Sequence, residues 1–324
     1  MKLKKIVSKR DSIIYNPKVY VGTQILYEWE NIIATELQLD IALDNLKKSK
    51  VPFLKFLSGS QDNSLLIEMA PHIYQSGFNR GNIVPYIVDF FVERNYRLKA
   101  FYCFYYFNKA VIISSREVYE MLINQGCPLK IFHLALSLPD QYAITSETKF
   151  NKKYDLIMMG RHSPVLVEYA MRYAKRHPEF TYVYQKQEGG QRCNYDQNDN
   201  KLCTVNTRQE YMDFMKTSRV ALYSTPSMDG GEKRAKGYNQ VTPKFLEYLA
   251  CGCHVIARYP KNPDTDYYNL DNIVLRNVND YDEFERAMDY ARIHDVDYNK
   301  YSKYLKKHYT TARIPELKNI LESI

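Results

Sequence analysis

The residues best suited to chemistry lie between Ser224 and Pro260. Thr242 is a residue type that caps helices and Pro243 suits the first helical position, so a helix is expected to begin there. The amides of its first turn, with the helix dipole behind them, favour an anion, and Lys244 on the same turn adds a full positive charge. A diphosphate fits that end. Glu247 lies one turn deeper, where a carboxylate would repel phosphates but can accept two hydrogen bonds from a ribose diol. The two ends together divide a nucleotide sugar between them. Phe245, Leu246, Leu249 and Ala250 supply the buried face, Gly252 ends the helix, and HVIAR re-enters a sheet.

These groups must be positioned by the elements around them. RVALYST reads as a strand, and the stretch STPSMDGGEKRAKGYNQ after it is too polar and glycine-rich for regular structure. Such a loop crosses the C-terminal edge of a sheet, where open α/β proteins bind ligands. In the first half SIIYNP, VPFLKFLS, IVPYIVDFF, KAVIISS and KIFHLAL read as strands. SSREVYEMLINQG between the last two reads as a helix, capped by Ser115, with Glu117 and Glu120 in its early turns and Gly126 at its stop. The polar stretch SETKFNKK marks a domain boundary, after which YDLIMMGRH opens a second sheet. Helices VLVEYAMRYAKRHP and RQEYMDFMKTS and strands FTYVYQ and RVALYST repeat the alternation, and NIVLRNV, YDEFERAMDYARIH and a basic helical tail close it. The expected class is α/β with parallel sheets, divided as residues 1–148, 149–300 and a C-terminal helix over 301–324.

Length and composition agree. A chain of 324 residues with 45% hydrophobic residues can organise two cores. The net charge of +8 suits nucleic acid, an anionic membrane surface or phosphorylated small molecules. No zinc-finger spacing, RNP-like aromatic motif or basic heptad region is present, so nucleic acid is not expected as a partner. No apolar run reaches the roughly 20 residues that span a bilayer, and the basic N-terminus leads into no signal-peptide core, so the cytoplasm is the expected location. The six cysteines show no CxxC pair, as expected of reduced thiols. Cys251, Cys253 and His254 superficially suggest a metal cluster, but at a helix end their side chains point in conflicting directions, so no metal is expected. Lys233 and Arg234 read as solvated loop charges.

The order of polar loop, short helix with a mid-helix glutamate, ACG and apolar strand resembles the donor-binding signature of glycosyltransferases with the GT-B fold. Members often carry Glu-x7-Glu before a small-residue, glycine and VIA segment. Glu247 matches the second glutamate, associated with ribose, and Asn239 occupies the first position, associated with the donor sugar. YDLIMMGRH is similar to the family's opening strand and turn, where Gly160 permits close backbone approach and Arg161 reaches the diphosphate. VIISSREVYEMLINQGCPLKIFHLALSLP resembles the last strand, helix and return of the first domain, so the likeness covers about the last two-thirds of the chain.

The resemblance implies two Rossmann-like domains facing across a cleft, with the final helix crossing back to the first. It also implies transfer of a hexosyl or related group from a UDP- or GDP-sugar to a hydroxyl of a glycan or lipid-linked acceptor, without a cofactor beyond the donor. Thr242 amides, Pro243, Lys244, Arg161, Gly160 and Glu247 form the expected donor site, and Asp89, Glu68 and Asn239 the catalytic candidates. Asp89 and Glu68 sit near strand ends and could take a proton from an acceptor hydroxyl. A basic surface suits peripheral contact with the inner face of a membrane carrying polysaccharide precursors. Two alternatives stand beside this reading. One is a nucleotide-sugar epimerase, which needs no acceptor; the other is a non-catalytic nucleotide-sugar or glycan-binding protein lacking an acid at Asn239.

Overall fold

The computed structural model describes residues 1–10, 21–43, 62–71, 81–93 and 96–324. The expected strands SIIYNP and VPFLKFLS lie outside those residues. By their contacts the residues form two units, Met1–Pro139 with Thr310–Ile324, and Asp140–Tyr309. The division falls at Pro139 rather than at residue 148. The intervening segment is held by the second unit, where the Ile144 amide donates to the Tyr309 hydroxyl at 3.2 Å.

The first unit is built on a six-stranded sheet in the order β2-β1-β3-β4-β5-β6. Its strands are β1 (Lys5–Ser8), β2 (Asp40–Leu43), β3 (Ser64–Glu68), β4 (Ile83–Ile87), β5 (Val111–Ile113) and β6 (Ile131–His133), all paired in parallel. Every residue of β3, β4 and β5 is buried, which is why IVPYI and VII read as apolar runs rather than alternating ones; β3, SLLIE, was not among the expected strands. Helix Arg116–Asn124 is capped as expected, Ser115 Oγ accepting from the Val118 amide at 3.2 Å. Helix Gln24–Leu37 lies in the core with helix Thr310–Glu322: Trp29, Ile33, Ile314, Leu317 and Leu321 share one apolar cluster. The tail expected as one helix over 301–324 is therefore two. Helix Tyr298–Leu305 belongs to the second unit and Thr310–Glu322 to the first.

The second unit carries a seven-stranded sheet, β10-β9-β8-β7-β11-β12-β13. β7 (Tyr154–Met158), β8 (Tyr182–Glu188), β11 (Ser218–Ser224), β12 (His254–Arg258) and β13 (Arg276–Asn277) run in parallel. NIVLRNV thus contributes a strand of only two residues. β9 (Gln191–Asp196) and β10 (Lys201–Val205) form an antiparallel extension that departs from the all-parallel expectation. The β8–β9 turn is made by Gly189 and Gly190 at φ 55° and 83°, the paired positive values a tight hairpin needs. Two reversals leave β10 running in the direction of β8. Six segments consequently leave the sheet at one edge: those after β7, β8, β10, β11, β12 and β13.

Candidate functional site at the carboxyl edge of the second sheet

β7 runs through Met159 into Gly160, whose φ of 73° is a left-handed value that a β-carbon disfavours. A β-carbon there would lie 3.5 Å from Lys244 Nζ, an ordinary contact, so it is the backbone angle that calls for glycine. Lys244 Nζ donates to the Arg161 carbonyl at 2.7 Å and lies 5.4 Å from the centre of the Tyr248 ring. Burial, and then the Arg161 charge, hold the Lys244 ammonium well below the usual lysine range, with Glu247 opposing the shift. Beside it, Arg161 Nε and the Tyr248 hydroxyl are buried without a hydrogen-bond partner among the described residues. His162 is deeply buried too, and burial holds its pKa well below the usual histidine range. Gly160, Arg161 and Lys244 are thus brought together in space from positions far apart in sequence.

Helix Pro243–Ala250 begins as its sequence requires, with Pro243 in the first turn and Thr242 extended at the cap. Thr242 makes no side-chain cap hydrogen bond, and its own amide donates to the Tyr223 hydroxyl at 3.1 Å. The Thr242 side chain therefore caps no first-turn amide; Pro243 has no N–H and the Phe245 amide donates to the Thr242 carbonyl at 3.1 Å, which leaves the Lys244 amide to meet an anion.

The connecting loop is more ordered than its composition suggests. It contains two 3-10 turns, Met228–Gly230 and Lys233–Ala235, and several tethers. Asp229 binds Arg258 at the end of β12 through two 2.7 Å hydrogen bonds, and it also accepts from Ser163, the cap of helix Pro164–Arg176. Glu232 lies 3.5 Å from Arg161 and 3.1 Å from Arg234, and these contacts, the Arg234 hydrogen bond first, bring its carboxyl down to about 2. Arg234 is solvated, as read from sequence, yet it chelates Glu232. The Asn239 amide is engaged inside the loop: Oδ1 accepts from Thr225 Oγ1 at 2.8 Å and Nδ2 donates to the Gly237 carbonyl at 3.2 Å.

Glu247 is 4% exposed, which rules out the ordinary fate of a solvated helix glutamate. Its Oε1 accepts from Arg208 Nη2 at 2.6 Å, both side chains being buried. Sequence reasoning missed Arg208, although one signal was available. Arg208 follows the cap Thr207 and opens helix Arg208–Met215, where the dipole disfavours a cation, so a compensating carboxylate was to be expected.

The remaining candidates lie elsewhere. Glu68 and Asp89 belong to the first unit. Glu68 ends β3 at 1% exposure, with Lys9 Nζ at 3.7 Å and the Tyr105 hydroxyl at 3.4 Å. Asp89 is half-buried two residues beyond β4, its amide donating to the Met69 carbonyl at 2.7 Å. A further buried acid, Glu30, accepts from Ser8 at 2.6 Å and Arg10 at 2.7 Å, and burial raises its pKa despite them. Cys251 and Cys253 point their thiols at the main-chain carbonyls of Met212 and Ser218, at 3.5 and 3.3 Å. Among the described residues no His, Cys, Asp or Glu group is placed to hold a metal ion.

Residues 170–319 match the family model described as glycosyl transferase-like. No curated protein matches the chain by sequence. Among solved structures, the pneumococcal O-GlcNAc transferase GtfA with UDP and GlcNAc is similar over 91% of this chain and 60% of its own, at 13% identity and a TM-score of 0.50. An S. aureus TarM variant, in complex with fondaparinux, alpha-GlcNAc-glycerol and UDP, covers 80% of this chain and 55% of its own, at 12% identity and TM-score 0.52. The chain therefore spans little more than half the length of these two relatives. AviGT4, a glycosyltransferase involved in avilamycin A biosynthesis, matches over 99% of this chain and 95% of its own, at 12% identity and TM-score 0.56. At these identities the likeness concerns the fold.

Proposed function

We propose that this chain, which has the GT-B fold and carries a glycosyl transferase-like region over residues 170–319, moves a sugar from a nucleotide-diphosphate sugar to a hydroxyl of a glycan or lipid-linked acceptor. The observation that carries the reading is the ordering of charge along one short helix. Its first turn carries Lys244, whose ammonium donates to the Arg161 carbonyl beside Gly160, and its buried carboxylate, Glu247, follows one turn later. A diphosphate at the cationic end and a ribose at the acidic end match that order.

In this reading the acceptor oxygen attacks the anomeric carbon while the bond from that carbon to the diphosphate breaks. The charge that develops on the leaving diphosphate is stabilised by Arg161 and by the side chain and amide of Lys244, without a cofactor beyond the donor. Arg161 Nε and the Tyr248 hydroxyl supply further polar atoms that have no hydrogen-bond partner among the described residues. Of the two first-unit carboxylates, Asp89 suits the role of base better than Glu68, which is deeply buried against Lys9 and Tyr105. Asn239 organises the loop rather than reaching for the donor sugar, because its amide already bonds Thr225 and Gly237. No described helix is long and apolar enough to cross a membrane. The net charge of +8 supports contact with an anionic membrane face carrying polysaccharide precursors.

GtfA and TarM were solved with UDP, so UDP is the first nucleotide to try, beside GDP and CMP. A cognate nucleotide at about 100 times its dissociation constant should stabilise the protein by roughly 2.7 kcal/mol. Thermal melts that no nucleotide shifts, and no release of nucleotide from UDP- or GDP-sugars with or without acceptor, would overturn the proposal.

A further inference from the structure

We infer that Arg208 is a positioning residue that makes Glu247 selective for ribose over 2′-deoxyribose; the inference rests on the nucleotide-sugar reading above. Among the described residues Arg208 is the one hydrogen-bond donor to the Glu247 side chain, through Oε1, which leaves Oε2 as an acceptor for a ligand hydroxyl. Arg208 is not the group that completes its own helix's start. It sits at the positive end of helix Arg208–Met215, and the helix cap is already complete without it. Glu210 donates its amide to Thr207 Oγ1 at 3.1 Å and accepts from the Thr207 amide at 3.1 Å. The guanidinium instead lies 5.4 Å from the centre of the Tyr142 ring and points at Glu247. Ring and carboxylate together fix a side chain that otherwise has many rotamers.

Without this partner the buried Glu247 carboxylate loses the hydrogen bond that fixes its rotamer, and Oε2 is no longer held where a ribose hydroxyl would meet it. A site built to accept from a hydroxyl discriminates against the analogue that lacks it, because the buried acceptor is then left unsatisfied. Ribose selectivity should therefore depend on Arg208 even where Arg208 touches no ligand atom.

The test is calorimetric binding of UDP against 2′-deoxy-UDP, and of GDP against 2′-deoxy-GDP, to the full chain and its Arg208→Met, Arg208→Lys, Glu247→Gln and Arg208→Met/Glu247→Gln forms. The unaltered protein is expected to favour the ribonucleotide by about tenfold or more. Arg208→Met should reduce that ratio to within about twofold while changing the 2′-deoxy affinity little, and Arg208→Lys should keep part of it. The double variant should lose no more selectivity than Arg208→Met alone, as expected when two residues act through one contact. Selectivity intact in Arg208→Met, or affinity lost equally for both sugars, overturns the inference. If Arg208→Met does not fold, Arg208→Lys takes its place in the same comparison, where an undiminished ratio overturns the inference and a reduced one supports it. Nucleotide binding by the unaltered protein without selectivity overturns this inference alone, whereas no binding of any nucleotide overturns the donor-site reading beneath it.

Discussion

Asp229 and Arg258 meet in a two-pronged ion pair, Oδ2 to Nε and Oδ1 to Nη2 each at 2.7 Å, that ties the loop after β11 to the end of β12. Both side chains are mostly buried, at 12% and 14% exposure, and Arg258 also donates to the carbonyls of Val278 and Asn279. Asp229 holds a φ of 53°, which Asn tolerates and Ala does not. Asp229→Ala should cost about 3 kcal/mol, from the lost charged hydrogen bonds and the strained backbone, and Asp229→Asn about 1 kcal/mol less. Urea unfolding checks this ordering, and equal losses in the two variants would contradict the strain component.

Lys244 makes the opposite prediction. Burial and Arg161 depress its pKa in the folded state, so the charged form costs stability. That cost is fully present below the folded-state pKa and is relieved as pH rises toward the unfolded value. Lys244→Met should therefore raise the melting temperature of the ligand-free protein by roughly 2–4 °C, equivalent to about 1 kcal/mol. The same change should abolish most of the stabilisation by UDP or GDP. A variant that melts lower in the absence of nucleotide would show that the Lys244 hydrogen bond to the Arg161 carbonyl outweighs the desolvation of its charge.

Two glycines with similar backbone angles should respond differently to alanine. At Gly160, φ 73°, the nearest atom to a new β-carbon is Lys244 Nζ at 3.5 Å, an ordinary contact. At Gly252, φ 62°, it is the Tyr298 hydroxyl at 2.5 Å, with two ring carbons within 2.9 Å. Gly160→Ala should cost about 1 kcal/mol through strain alone, and Gly252→Ala roughly 3 kcal/mol through strain and overpacking. Tyr298→Ala in the Gly252→Ala background should recover part of the second loss, as read by denaturant midpoints.

His133, at the end of β6, gives the first unit a pH dependence. Burial, and then the Arg116 charge, lower its pKa to about 4, against an ordinary 6.5. Between those values the unfolded chain binds a proton that the folded unit refuses, so stability falls as pH drops from 6.5 toward 4. The loss should be on the order of 2 kcal/mol and absent in His133→Gln. Trp29, the single tryptophan and 2% exposed in the first unit's core, reports it through its emission. An identical slope in His133→Gln would assign the effect to other groups.

What the sequence made legible was local. Pro243 after Thr242 marked a helix start, Gly252 marked its exit at positive φ, and Ser115 marked a cap, because each is decided within one turn of chain. The β9–β10 extension was not legible, since its strands mix polar and apolar residues with little burial contrast at the sheet edge. Nor were the pairings that shape the site. Arg208 and Glu247 are 39 residues apart and Asp229 and Arg258 are 29 apart. Each is an isolated charge in the sequence, and only the sheet order brings their elements to one edge. The same holds in the first unit, where the buried acids Glu30 and Glu68 are met by Arg10 and Lys9 just after β1.

The placement of helix Thr310–Glu322 in the first unit bears on how the chain is made. Residues 140–309 intervene between that helix and the rest of its unit, so during synthesis the second unit is complete before Ile314, Leu317 and Leu321 exist to cover Trp29 and Ile33. A nascent chain emerging N-terminus first therefore carries an unfinished first core through the whole synthesis of the second. The unit begun first is the one finished last, and until then its apolar face is a target for chaperones.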